Sequence, residues 1–214
     1  MSVSSFLAVL LLAGPAWSAE RYVELSGADS GNECLDALLP CGTIDRAVQM
    51  ANTEDTIVLG AGTYTSSGYS IPWNLPNGVT LSGAGSALTR VHATEGTAIF
   101  SFASNNLPST VRGVELQNSR GHAIRVTQYS DTVSQHITLD DVVLSGNSGF
   151  GVNAGTSSSG LNMGNLTLDV RNSVLSDNGW GGIALGWSAG TVQTTITNST
   201  TFSTTNSTTF STLT

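Results

Sequence analysis

The stretch that decides the fold is STVRGVELQNSRGHAIRV, from Ser109 to Val126. It is followed by ITLDDVVLSGNSGFGVNA from Ile137 and LDVRNSVLSDNGWGGIAL from Leu168. The three align without a gap, their first residues 28 and then 31 positions apart. Leu116, Leu144 and Leu175 share one column, and Ile124, Val152 and Ile183 another. A repeat of this length is one supersecondary unit that cannot bury its apolar face alone, so successive units must stack as a solenoid.

In a stack of parallel coils, equivalent positions lie about 4.8 Å apart. Asn147 and Asn178 share a column and are placed to hydrogen-bond along the stack. Arg112, Asp140 and Arg171 share another, which predicts a ladder of opposite charges. Asp140 and Asp141 are adjacent, and neighbours on a strand point to opposite faces unless a turn separates them. Asp140 is therefore read as an ion-pairing residue rather than half of a catalytic pair. Asn153 lies outside the core columns and is expected to tolerate a charge.

Outward from the repeat, composition agrees. The chain has 214 residues, 39% hydrophobic and 10% charged, with 24 glycines, which suits one domain of short strands and tight turns. Net charge is −8, and every basic residue is an arginine. An acidic chain without a basic run argues against nucleic acid as a partner. Residues 1–18 have the form of a secretory signal peptide: an apolar run from Phe6 to Ala13, then Gly14-Pro15, then small residues to Ser18. That run is too short to span a bilayer, so no transmembrane segment is expected. Cys34 and Cys41 are the two cysteines. They either remain thiols or close a small loop, and export favours the disulfide. No further Cys pair or nearby His completes a metal site, and no cofactor is implied.

The solenoid is expected over residues 19–190. The run Thr43–Asn52, TIDRAVQMAN, places Ile44, Ala47, Val48 and Ala51 at helical spacing behind a Thr N-cap. Strand-turn units follow at Thr56–Thr65 and Gly78–Gly85, with Leu59 to Leu81 read as one 22-residue coil. Residues 191–214 are a Thr/Ser/Asn-rich tail, read as a further partial coil or a stalk.

The segments PCGTIDRAVQMAN, DTIVLGAGTYT and GVTLSGAG resemble the N-terminal region of secreted right-handed parallel β-helix proteins, the pectin lyase-like superfamily. The resemblance implies an all-β, right-handed parallel β-helix whose first coil is capped by a short α-helix. It also implies a polysaccharide or cell-surface glycan as partner.

Chemistry is sparser. Arg120, His122 and Arg125 form the most reactive cluster, with His122 as a possible proton carrier and the arginines as carboxylate-neutralising cations. Pectin hydrolases of the superfamily carry Gly-His-Gly after an acidic pair. Here the triplet is Gly-His-Ala and it precedes Asp140 and Asp141, so both spelling and order depart from the pattern. Asp141 remains a catalytic candidate beside the cluster. Tyr69, Trp73, Trp180 and Trp187 are candidate platforms for sugar rings. The resulting expectation is an exported, extracellular or surface β-helix module that is glycan-binding, adhesive or structural, without catalysis of its own. The alternative is a lyase or hydrolase acting on a uronic-acid-containing polysaccharide.

Overall fold

The computed structural model describes residues 18–66, 71–103, 105–127, 132–155, 164–186 and 191–201. The signal-peptide reading of residues 1–17 and most of the tail lie outside them, as do Tyr69 and Trp187.

Strand β1 (Glu20–Val23) is followed by helix α1 (Ile44–Met50). The chain then winds through β2 (Thr56–Leu59), β3 (Gly62–Thr65) and β4 (Trp73–Leu75), and next through β5 (Thr80–Ser82), β6 (Thr89–His92) and β7 (Ala98–Phe102). The repeats follow: β8 (Ser109–Gln117) with β9 (His122–Val126), then β10 (Ser134–Ser145) with β11 (Phe150–Gly155). They continue through β12 (Asn165–Arg171), β13 (Val174–Ser176) and β14 (Gly181–Gly186), and the last described strands are β15 (Val192–Thr197) and β16 (Thr200–Thr201). Every pairing among them is parallel.

The pairings define a three-sided parallel β-helix. The first face carries β1, β2, β5, the leading parts of β8 and β10, β12 and β15. The second carries β3, β6, the trailing parts of β8 and β10, β13 and β16. The third runs β4-β7-β9-β11-β14.

Each face contributes an apolar column to the interior. On the first face Ile57, Leu81, Val111, Leu139 and Val170 are in register and buried. On the second the column is Tyr64, Val91, Leu116, Leu144 and Leu175. On the third it is Trp73, Phe100, Ile124, Val152 and Ile183. The columns read from the repeat are thus the upper parts of two longer ones. The first coil is one correction: Leu81 pairs with Ile57 rather than Leu59, giving a coil of 24 residues, not 22.

The corners explain why the coils turn where they do. Between the first and second faces the chain passes through the left-handed region at Gly113 (φ 64°), Asp141 (52°), Asn172 (49°) and Asn198 (51°). Between the second and third it does so at Asn118 (58°), Gly146 (63°) and Asp177 (55°). Gly, Asn and Asp are the residues that accept this conformation most readily. One step beyond the second corner lies the predicted asparagine ladder, fully buried. Asn147 Nδ2 donates to Asn178 Oδ1 at 2.8 Å and to the Leu116 carbonyl at 3.2 Å. Its own Oδ1 accepts from the Ser119 N–H at 3.0 Å. Asn178 repeats the arrangement by donating to the Leu144 carbonyl at 2.9 Å.

Helix α1 forms where expected. Thr43 is its N-cap, the hydroxyl accepting from the Arg46 N–H at 3.2 Å, and Asp45 occupies the first turn. Ile44 and Ala47 are buried, and the helix packs on β1, β2 and β4, the first-coil strands at one end of the stack. It therefore covers the apolar interior that the first coil would otherwise expose. Cys34 and Cys41 are joined in a disulfide with Cα atoms 5.1 Å apart, closing the loop between β1 and α1.

Candidate functional site

The second corner and the start of the third face bring together residues that sequence reasoning had treated separately. Arg120, Gly121 and His122 from one coil, Ser148 and Gly149 from the next, and Trp180 from the third line a cleft of about 350 Å³. Gly96 and Thr97 complete it from the coil before. Its floor requires glycine: a Cβ on Gly121 would stand 2.0 Å from the Thr97 carbonyl oxygen, and one on Gly149 would stand 2.5 Å from His122 Nδ1.

One wall is aromatic. His122 and Phe150 occupy one column, a coil apart, and stack with centroids 5.8 Å apart at 14°. Trp180 meets both edge-on, at 5.7 Å from His122 and 5.6 Å from Phe150. Such edge-to-face contacts fix ring orientation, yet Trp180 remains 59% exposed.

His122 is tied at both nitrogens. The Phe150 N–H donates to Nδ1 at 2.9 Å, so Nδ1 carries no proton and Nε2 does. Nε2 lies 2.9 Å from Asn153 Nδ2, and an Nε2–H there pairs with this amide once its oxygen and nitrogen are exchanged. Burial, and then the positive charge of Arg125, hold the imidazole below its ordinary pKa. The folded state therefore favours neutral His122. This contributes stability above the unfolded-state titration near pH 6.5, which is lost as pH falls through the lowered folded value. Asn153 is not free to take a charge as the columns alone suggested, because it is half-buried against this ring.

Arg125 shares a column with Ser101 and Asn153 and lies along the third face beside the cleft, while Arg120 stands exposed at its rim. Trp73 is elsewhere. It is only 3% exposed and packs on Phe100 at 5.4 Å, as the lowest member of the third-face core column. That burial removes it from the candidate sugar platforms.

The carboxylates lie at the other corner. Because Asp141 adopts positive φ, the strand turns there, and Asp140 and Asp141 line one cleft of about 280 Å³ with Arg112. This is the turn without which neighbouring positions on a strand would diverge. Asp141 accepts from the Ser86 hydroxyl at 2.7 Å and the Ser86 N–H at 3.2 Å. Asp140 is in register with Arg112 and Arg171, as predicted, but bonds to neither. It accepts instead from Asn172 Nδ2 at 2.8 Å, while Arg112 donates to Ser82 and Arg171 leans toward Asp169. An exposed ion pair gains little, so long guanidinium side chains settle on whichever acceptor is best oriented. Asp140→Asn should accordingly cost about 1 kcal/mol or less, measured by denaturant unfolding.

No protein-family model and no curated protein matches the chain. Among solved structures, the fold is similar to the A-module of mannuronan C-5 epimerase AlgE4 from Azotobacter vinelandii, at 16% identity and a TM-score of 0.31. The match covers 67% of this chain and 62% of that one. Among the described residues, no group of three or more His, Cys, Asp or Glu is placed to hold a metal ion. No helix among them is long and apolar enough to cross a membrane.

Proposed function

We propose that this protein is an exported β-helix module that binds a polysaccharide or surface glycan, without catalysis of its own, in the cleft formed by Arg120, His122, Ser148 and Trp180. The observation that carries this reading is the aromatic wall: an exposed indole, oriented by two ring contacts, above a glycine-floored cleft. A sugar ring offers an apolar face of C–H groups to stack on an indole, and hydroxyls for the Arg120 guanidinium and nearby backbone carbonyls. Preformed clefts of this size with a few convergent polar groups are typical of small-ligand sites.

Two features favour binding over turnover. His122 is committed at both nitrogens and held neutral, which leaves it no free site for proton transfer. The carboxylates Asp140 and Asp141 line a different cleft, and among the described residues that line the cleft of His122 none is Asp or Glu.

The test is a panel of neutral and uronic-acid polysaccharides, assayed by calorimetry for binding and in parallel for chain cleavage. Binding without cleavage is expected. Trp180→Ala should weaken binding at least about tenfold while leaving the melting temperature within about 2 °C. Turnover that is lost with His122→Asn or Asp141→Asn would replace this reading with an enzymatic one.

A further inference from the structure

The buried ion pair under the first coil points to a role for the amino terminus. Asp55 is 2% exposed and accepts three donors. Arg21 Nε reaches Oδ2 at 2.9 Å, the Asn52 N–H reaches Oδ2 at 2.9 Å, and the main-chain nitrogen of Ala19 reaches Oδ1 at 2.8 Å. Burial by itself would raise the Asp55 pKa. The hydrogen bonds from Asn52 and Ala19, with the Arg21 guanidinium, outweigh it and hold the carboxyl below its ordinary value. Arg21 in turn donates to the Glu33 carbonyl at 2.7 Å, inside the disulfide-bearing segment between β1 and α1.

Ala19 is also where regular pairing begins: its carbonyl accepts from the Thr56 N–H at 2.8 Å, and β1 starts at the next residue. Small residues at Ala16 and Ser18 mark the Ser18–Ala19 bond as the leader cleavage point. Processing further downstream would cut into β1.

We propose that the exported chain begins at Ala19 and that its free α-ammonium seats on Asp55, as the second cation of a clasp shared with Arg21. The step is hydrolysis by an exported-protein peptidase. One water adds across the Ser18–Ala19 amide, Ser18 leaves as a carboxylate, and the Ala19 amine takes up a proton. A single amide donor thereby becomes a charged group with three hydrogens, and charge-assisted bonds to carboxylate are roughly twice as strong as neutral ones. The added positive charge enters a chain of net charge −8, which favours it further. Removal of the leader thus completes the N-terminal fold.

The proposal rests on the leader reading within the proposed function, and the test separates the two. The protein is expressed with residues 1–18 in an exporting host and its amino terminus sequenced; Ala19 is expected. Because the sequence has no lysine, the α-amine of that product is its sole primary amine. An amine-reactive acetylating ester therefore reports on Ala19 alone. Labelling should run about tenfold slower in the folded protein than in urea. Protein acetylated while unfolded, then refolded, should melt about 2–4 °C below the unmodified chain. Asp55→Asn should restore fast labelling, and if that variant does not fold, the comparison of acetylated and free wild-type chains decides alone. An amino terminus elsewhere would overturn the leader reading and the clasp together. An Ala19 terminus that labels equally fast folded and unfolded would overturn the clasp alone.

Discussion

Leu144→Asp should unfold the middle of the stack. Leu144 is fully buried between Leu116 and Leu175 in the second-face column, in register with both. A carboxylate there has no partner, so it must either desolvate as an ion or be protonated, and either course costs more than about 4 kcal/mol. That is a large share of the roughly 5–15 kcal/mol that holds a typical domain together. The damage should be local at first, because each coil contacts only its neighbours and stability in such arrays is a sum of nearest-neighbour interfaces. Hydrogen exchange should accelerate in β8, β10 and β13 before it does so in α1 and β1. Thr110→Asp, on the outward column between Thr80 and Thr138, is the matched control and should cost about 1 kcal/mol or less. Equal losses of melting temperature for the two variants would refute the column assignment.

The second large effect is expected at the asparagine ladder. Asn147→Leu preserves volume but strips partners from the Ser119 N–H and the Leu116 carbonyl at a buried corner, and leaves Asn178 Oδ1 with the residue 147 main-chain N–H alone. Orphaned buried polar groups cost about 1–3 kcal/mol each, partly relieved by relaxation, so a total of about 2–5 kcal/mol is expected. For a chain of this length that lowers the melting temperature by roughly 5–15 °C. Ser148→Ala, one residue along but exposed, should be nearly silent in the same scan. The ladder corner also supports the cleft: Asn147 O accepts the Gly179 N–H at 2.7 Å, one residue before Trp180. Asn147→Leu leaves this main-chain bond in place, so its effect is expected in stability rather than in glycan binding.

The register from Ser109 to Leu185 was legible because three gapless repeats state it directly, and the helix because Thr43 and the Ile44/Ala47 spacing carry a local signal. The first coils were not. Their strands are three to five residues long, and nothing in a short apolar run says which residue pairs with which across loops of unequal length. That is why the sequence alone aligns Leu59 rather than Ile57 with Leu81, and why Trp73 reads there as a candidate sugar platform rather than a core ring. The site was half-legible. Arg120, His122 and Trp180 were each singled out, but their meeting depends on two stacked corners. Phe150 was missed even though it stands 28 residues beyond His122, in the same repeat column, so the alignment held the signal. The arginine ladder failed for another reason: register fixes where a long side chain starts, and local acceptors decide where it ends.

From Ser109 onward, coil length changes at one corner alone. The 28-residue offset holds from Ser109 through Val126, and the 31-residue offset from Ser134 through Gly155. From Ser109 onward the first two corners, which pass through left-handed residues, keep one length from coil to coil. Every added or missing residue enters between the third face and the first, after Val126, Gly155 or Gly186. Closing a longer loop costs only about 0.6 kcal/mol per doubling of its length. From Ser109 onward the molecule therefore has one permissive seam along its stack. Peptides grafted there would project in a row at coil spacing, with the asparagine corner on the opposite side undisturbed.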